Sequence, residues 1–207
     1  MTKLTMDTLK GLLWASVGTG SQAIIQLGVL VVLARLLTPK DFGLVAAAQV
    51  IVTFATIFTQ LGVGPAIVQR SKLEISHMRV GFTLSCLLGI GFTVFIALLA
   101  VPISRFFRMP DLAPVIQVMS GVFFLKSFAV VPESLLRREL HFRQLAGIEI
   151  IALGLGFGAV GITLAWAGYG VWSLVIAYMA QYALTSLILL FVQAHPKAPS
   201  LNRSALS

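Results

Sequence analysis

The sequence predicts an all-α integral membrane protein, a bundle of about six transmembrane helices. Of its 207 residues, 58% are apolar and 11% are charged, whereas an average soluble domain has roughly 25% charged residues. Stretches without charge recur along the chain, and an ionised side chain at the centre of a bilayer is costly. Basic residues gather between these stretches. The composition therefore excludes a soluble fold.

The first three helices follow from charge-free stretches that each exceed the roughly 20 helical residues needed to cross a hydrocarbon core. These stretches comprise 24 residues between Lys10 and Arg35, 28 between Asp41 and Arg70, and 25 between Arg79 and Arg105. A signal peptide is a poorer interpretation of the first stretch, because it is longer than a typical h-region and lacks a clear cleavage site. We expect a retained helix there.

The last three predicted helices come from two longer stretches, one interrupted by a lysine and one that must contain a break. The stretch from Asp111 to Glu133 is long enough to span, although Lys126 interrupts it. Residues 150–194 contain no charge, and as one helix they would be about 68 Å long. Two spans are therefore predicted, with the break at Gly168-Tyr169-Gly170, where flexible glycines flank an interfacial aromatic residue.

Together these stretches predict one transmembrane lobe over residues 1–194 and a polar cytoplasmic tail over 195–207. The predicted helices are 11–34, 43–68, 79–103, 112–132, 145–167 and 171–193.

The distribution of lysine and arginine predicts the orientation, because cytoplasmic loops carry an excess of both. With the N-terminus inside, the inner segments hold ten basic residues and the outer loops hold four. The inner set is Lys3, Lys10, Arg70, Lys72, Arg79, Arg137, Arg138, Arg143, Lys197 and Arg203; the outer set is Arg35, Lys40, Arg105 and Arg108. Both termini are therefore expected in the cytoplasm. The net charge of +8 reflects this topology rather than nucleic-acid binding.

The sequence offers no catalytic or metal-binding constellation. Cys86 is the only cysteine, and the three histidines lie in three different cytoplasmic segments without paired ligand spacing,. We expect no two carboxylates to lie together at depth, which leaves no pair for acid and base catalysis. No phosphate-cradling glycine loop is present. We therefore expect no enzyme, no metal and no other cofactor.

Two motifs inside the predicted spans have alternative interpretations. Gly154, Gly156, Gly158 and Gly161 occur as L-G-L-G-F-G-A-V-G in the fifth span, and small residues at this spacing favour close helix packing, with a moving hinge as the alternative. Gln22 and Gln26 lie one turn apart in the first span and either bond to neighbouring helices or line a polar cavity.

Two sets of cations also have alternative interpretations. Lys126, inside a span, either snorkels or pairs with Glu149, or else it binds an anionic substrate. The loop with Arg137 and Arg138 either anchors the cytoplasmic side of the protein or receives anionic headgroups.

Four segments resemble the polysaccharide exporters of the multidrug/oligosaccharidyl-lipid/polysaccharide flippase superfamily. They are L-A-R-L-L-T-P-K-D-F-G-L at 33–44, L-G-V-G-P-A-I-V-Q-R at 61–70, V-P-E-S-L-L-R-R-E-L-H-F-R at 131–143 and G-Y-G-V-W-S-L-V at 168–175. The segments follow the family order and cover the first of its two six-helix lobes.

This resemblance implies a flippase of the bacterial inner membrane that moves an undecaprenyl-pyrophosphate-linked oligosaccharide for surface polysaccharide biosynthesis, such as lipopolysaccharide or exopolysaccharide. Its expected partners are the lipid-linked oligosaccharide, membrane lipids, and a second six-helix lobe or a homodimeric copy. By this resemblance Arg35 and the loop with Arg137 and Arg138, the headgroup-encounter loop, are family features. The other candidates for substrate binding, Lys126, Gln22 and Gln26, rest on their chemistry inside the predicted spans alone. The alternatives are a drug/cation antiporter of the same superfamily, a membrane glycosyltransferase and a half-transporter without activity alone.

Overall fold

A computed structural model of the protein describes residues 3–60, 63–69 and 75–192, and the side chains within 18–56, 64–68 and 78–192. The predicted tail at 195–207 lies outside these ranges. The described part of the chain is helical and contains no strand, so the predicted all-α membrane fold is confirmed.

The described residues in the first part of the chain belong to α1, α2 and α3. Helix α1 spans Lys3–Leu36, α2 spans Pro39–Gln60 and α3 spans Val63–Gln69. The predicted helix over 43–68 falls on α2 and α3, and the two residues between them, 61–62, lie outside the described ranges.

The two central helices pack closely against each other. Helix α4 spans Ile75–Phe106, α5 spans Leu112–Arg138, and each contains a proline, Pro102 or Pro132. Helix α5 bends by 47° between its segments Leu112–Ser127 and Val130–Arg138. The two helices approach closely at Gly89, where an added Cβ would lie 2.6 Å from the Ser127 Cβ.

The fifth predicted span is one continuous helical stretch with an unusual middle. Helix α6 spans Phe142–Ala152, a π-helical segment spans Leu153–Val160, and α7 spans Gly161–Trp166. Helix α8, Val171–Val192, follows a turn in which Gly168 and Gly170 have φ angles of +84° and +54°. Glycine adopts such angles without steric cost, and the break lies where the sequence predicted it.

Four helices are long and apolar enough to cross a membrane in the described part of the chain: Gly18–Leu36, Met78–Phe106, Phe142–Trp166 and Val171–Val192. The bent helix α5 makes a fifth if it is one span. By length and composition, the structure thus supports four or five of the six predicted spans.

The bundle has two distinct ends. At the glycine-turn end, comprising the connections 37–38, 107–111 and 167–170, Lys40 Nζ lies 2.7 Å from Asp111 Oδ2, and Asp41 caps its own helix through Thr38. The largest core cluster extends toward this end, with Leu33, Ile116 and Phe157 fully buried. The basic end is the connection between α5 and α6 and the residues beside it, 137–143.

Candidate functional site: an interior polar cavity

A polar cavity of about 260 Å³ lies inside the bundle, where α1, α4, α5, α6 and α8 meet. The side chains that line it come from all five helices: Gln22, Ser85, Gly89, Phe123, Lys126, Ser127, Ala129, Val130, Glu133, Glu149, Gln181, Tyr182, Thr185 and Ser186. Such a concentration of amide, hydroxyl and charged groups inside an apolar bundle is typical of a functional cavity in a membrane protein.

Helix α5 places Lys126 on the wall of this cavity, and its ammonium lies 4.7 Å from the centre of the Tyr182 ring. A cation over an aromatic face is stabilised by the ring quadrupole, which partly compensates for the loss of water. The proposed pairing of Lys126 with Glu149 is wrong, because the lysine makes this aromatic contact and Glu149 has another partner. The lysine is half-buried and borders open space, so an anion in the cavity could reach it.

That other partner is Gln22 on α1, whose Nε2 donates a hydrogen bond of 2.6 Å to Glu149 Oε2 on α6. The two helices approach closely one turn earlier, where an added Cβ on Gly18 would lie 2.6 Å from the Ala146 Cβ. Gln22 therefore both bonds to a neighbouring helix and lines a cavity, so its two interpretations hold together.

Two carboxylates line the cavity, which corrects the expectation that none would lie together at depth. Glu133 belongs to α5 and Glu149 to α6. They are 16 residues apart in the sequence, so only the turn between α5 and α6 brings them to one site. With Lys126, the cavity wall carries one cation and two anions.

The other predicted binding residues lie elsewhere. Gln26 is half-buried one turn along α1 and does not line the cavity. Arg35 is exposed in the last turn of α1, about 20 Å along the helix from Gln22 at 1.5 Å per residue,. The structure therefore brings Lys126 and Gln22 together and leaves Gln26 and Arg35 apart from them.

The two arginines of the basic end differ in their contacts. Arg137 donates from Nε and Nη2 to Glu133 Oε1, at 3.0 and 2.8 Å. Arg138 donates from Nη1 to the backbone oxygen of Ile67, at 2.8 Å, and so ties α5 to α3.

Comparison with known proteins decides the family. A family described as polysaccharide biosynthesis protein matches residues 32–207. The chain belongs to this polysaccharide biosynthesis family.

Three relatives include one named as a membrane protein, one as a lipopolysaccharide biosynthesis protein and one as a transport protein. The chain is 27% identical over 208 residues to an uncharacterized membrane protein in the cps region of Klebsiella pneumoniae, covering 98% of this chain and 42% of that protein. It is 32% identical to the lipopolysaccharide biosynthesis protein WzxC of Escherichia coli (strain K12), covering 74% of this chain and 31% of the relative. It is 31% identical to the succinoglycan biosynthesis transport protein ExoT of Rhizobium meliloti (strain 1021), covering 76% of this chain and 31% of the relative.

The chain of this polysaccharide biosynthesis protein spans less than half the length of these relatives. No solved structure matches it. Together, the apolar helices and the family make it a multi-pass membrane protein.

Sequence reasoning missed much of the cavity of this family member. Gln181, Tyr182, Thr185 and Ser186 line it from α8, and their polar side chains at spacings of one, four and five residues in an apolar span were an available signal. Ser85 had no comparable signal. Its hydroxyl is buried on the cavity wall without a hydrogen-bond partner in the described part of the chain.

Proposed function

We propose that this chain is one lobe of an inner-membrane flippase that moves an undecaprenyl-pyrophosphate-linked oligosaccharide from the cytoplasmic to the periplasmic leaflet. The observation that carries the proposal is the interior cavity with Lys126 on its wall, in a chain of the polysaccharide biosynthesis family. The product would serve surface polysaccharide biosynthesis, and the protein would work as a transporter rather than an enzyme.

The chemistry of the cavity suits such a substrate. A pyrophosphate needs cationic and hydrogen-bonding partners once it leaves water, and sugars need amide and hydroxyl groups. Lys126, Gln181 and Ser85 offer these groups at the cavity wall, while a lipid tail would stay in the bilayer beside the bundle. Because the chain spans less than half of its relatives, we expect a second lobe or a second copy to complete the transport path.

The proposal is tested by removing or keeping the charge of Lys126. In a strain that depends on this protein for polysaccharide export, Lys126→Gln should keep normal protein levels and reduce export, because the headgroup loses its cation. Lys126→Arg should retain part of the export, since the charge survives although its geometry changes. Tyr182→Phe is the matched control, because it keeps the ring below the ammonium. Normal export by Lys126→Gln would refute the headgroup role.

A second candidate is a drug/cation antiporter of the same superfamily. Such proteins often use a carboxylate in the first span. The predicted first span, 11–34, contains none, but Glu149 of α6 lies against Gln22 of α1 and supplies a carboxylate beside that span. Drug resistance conferred on a sensitive strain, and lost in Glu149→Gln, would favour the antiporter. Polysaccharide export without drug resistance would favour the flippase.

The proposed orientation places both termini in the cytoplasm and the glycine-turn end in the periplasm. In a Cys86→Ala background, Tyr169→Cys should react with an impermeant thiol reagent in cells whose inner membrane is intact and accessible to the reagent, because Tyr169 is exposed in the outer turn. Glu139→Cys, exposed at the basic end, should react only after lysis. The opposite pattern of labelling would invert the topology.

A further inference from the structure

Glu133 borders two cavities at once. One is the interior cavity, and the other is a cleft of about 440 Å³ between α3 and α5, next to the basic end. The cleft is lined by Gly64, Pro65, Val68, Val130, Glu133, Ser134 and Arg137. Val130 and Glu133 line both spaces, so these two side chains form the partition between them.

Charges of alternating sign follow this path along α5. Lys126 lies on the side of the interior cavity, Glu133 at the partition, and Arg137 in the cleft. With Val130, these residues are spaced at four, three and four positions, which is the period of a single helix face. An anion that moves from the basic end into the bundle would thus meet Arg137 first and Lys126 last.

The ion pair at the partition is of a kind that exchanges readily. Arg137 and Glu133 are one turn apart on α5, and their side chains are 47% and 33% exposed. Exposed pairs of this kind are weak, because water competes for both charges. A phosphate group offers more acceptor oxygens than one carboxylate and accepts the guanidinium in a bidentate fashion. An incoming anion can therefore displace Glu133 from Arg137.

Arg138 is not equivalent, although it is the adjacent residue. Its hydrogen bond to the Ile67 backbone oxygen holds α3 against α5 and so shapes the wall of the cleft. Arg137 is the guanidinium that lines the cleft itself.

We infer that the cleft between α3 and α5 is a binding site for a phosphate or pyrophosphate group, in which Arg137 holds the anion and Glu133 acts as a built-in competitor that gates the interior cavity. The inference rests on the proposed function for the path that the anion follows. When the anion takes Arg137, the Glu133 carboxylate is released at the partition, next to the cavity that contains Lys126. Arg137 and Lys126 are then separated by the Glu133 side chain, which can move, rather than by a fixed wall.

The experiment measures the binding of sodium pyrophosphate to the purified full chain by calorimetry in metal-free buffer. Glu133→Gln should tighten binding about three- to tenfold, because the internal competitor and its repulsion of the ligand are both removed. Arg137→Gln should abolish binding, and it should fold, since it removes one exposed ion pair. Glu139→Gln is the matched control: it removes the same charge near the same end of α5 but does not line the cleft, and it should change affinity less than about twofold.

Three results would overturn the inference. The first is equal tightening of pyrophosphate binding in Glu133→Gln and Glu139→Gln, which would indicate a general effect of net charge. The second is unchanged binding in Arg137→Gln, and the third is no pyrophosphate binding by any form of the protein. Farnesyl pyrophosphate in a parallel titration distinguishes the sources of the anion. Tighter binding than sodium pyrophosphate would assign the cleft to a lipid headgroup, and equal binding to the free anion.

The failure of this inference and that of the proposed function are distinguishable. If export depends on Lys126 but pyrophosphate binding does not depend on Arg137, the flippase stands and the cleft is wrong. If pyrophosphate binds as described but export does not depend on the protein, the cleft stands and the flippase is wrong.

Discussion

The two halves of the bundle use the same helices in opposite ways. Toward the glycine-turn end, α2, α4, α5 and α8 pack into an apolar core that contains Ile116, Met119 and Phe157. Toward the basic end, α5 and α8 instead face a cavity through Lys126, Tyr182 and Thr185. The first half contains the largest apolar core of the bundle, whereas the second combines two smaller apolar clusters with a polar cavity. This difference suits the proposed function, in which the packed half would hold the helices in place and the polar half would receive the substrate.

The largest expected effect is on the packed contact between the π-helical segment and α8. An added Cβ on Gly156 would lie 2.5 Å from the backbone N and Cα of Gln181, and backbone atoms cannot move aside without shifting a helix. Gly156→Ala should therefore destabilise the protein by about 1–3 kcal/mol or more, measured as a lower midpoint of thermal unfolding in detergent.

Two neighbouring glycines calibrate this effect. Gly154 has open space around its missing Cβ, so Gly154→Ala should be benign, whereas Gly158 would place a Cβ 3.3 Å from a flexible methyl group of Val29 and should fall between the two. Gly158→Leu, which is larger, should lower the amount of folded protein in membranes. Normal protein levels with selective loss of transport would instead support the hinge interpretation of these glycines.

A smaller effect is expected at the edge of the polar half. Gln22→Leu removes the donor of a 2.6 Å hydrogen bond and leaves the Glu149 carboxylate without it, which should cost about 1–3 kcal/mol. Gln26→Leu is the control on the same helix, because Gln26 does not line the cavity. Equal loss of stability in both variants would mean that the glutamines act through general packing.

How far the sequence predicts the molecule differs between the two halves. The membrane-spanning character of the helices and the break at Gly168–Gly170 follow from local composition, because charge content and glycine conformation are properties of short segments. The cavity depends on contacts between helices distant in sequence. Gln22 meets Glu149 across 127 positions, and no local pattern predicts which face of α6 turns toward α1.

Lys126 was only partly predictable from the sequence. Lys126 was predictable as an unusual residue, because a charge inside an apolar stretch is costly, but its contact with Tyr182 was not.

The smallest effect is expected at the glycine-turn end, at the exposed ion pair of Lys40 and Asp111. Their hydrogen bond raises the pKa of Lys40 above its ordinary value of 10.5. A raised pKa means that the pair contributes stability below about pH 10.5 and loses it as the pH rises through the higher value. Lys40→Gln should change the unfolding midpoint slightly at low salt and not at high salt. A large change that persists in high salt would show that this end depends on charge as well as on packing.

The π-helical segment Leu153–Val160 sets the rotational phase between the two halves of its span. Its i→i+5 hydrogen bonding gives each turn more residues than an α-helix has, so residues five apart lie closer to a common face than they would in an α-helix. Gly156 and Gly161 are five apart, and both lie against α8, at Gln181 and Ala177. Each residue of an α-helix rotates the side-chain direction by about 100° around the helix axis. The wide turn thus compensates for an out-of-phase sequence, so that Glu149 faces the cavity while Gly161 and Ala165 still face inward.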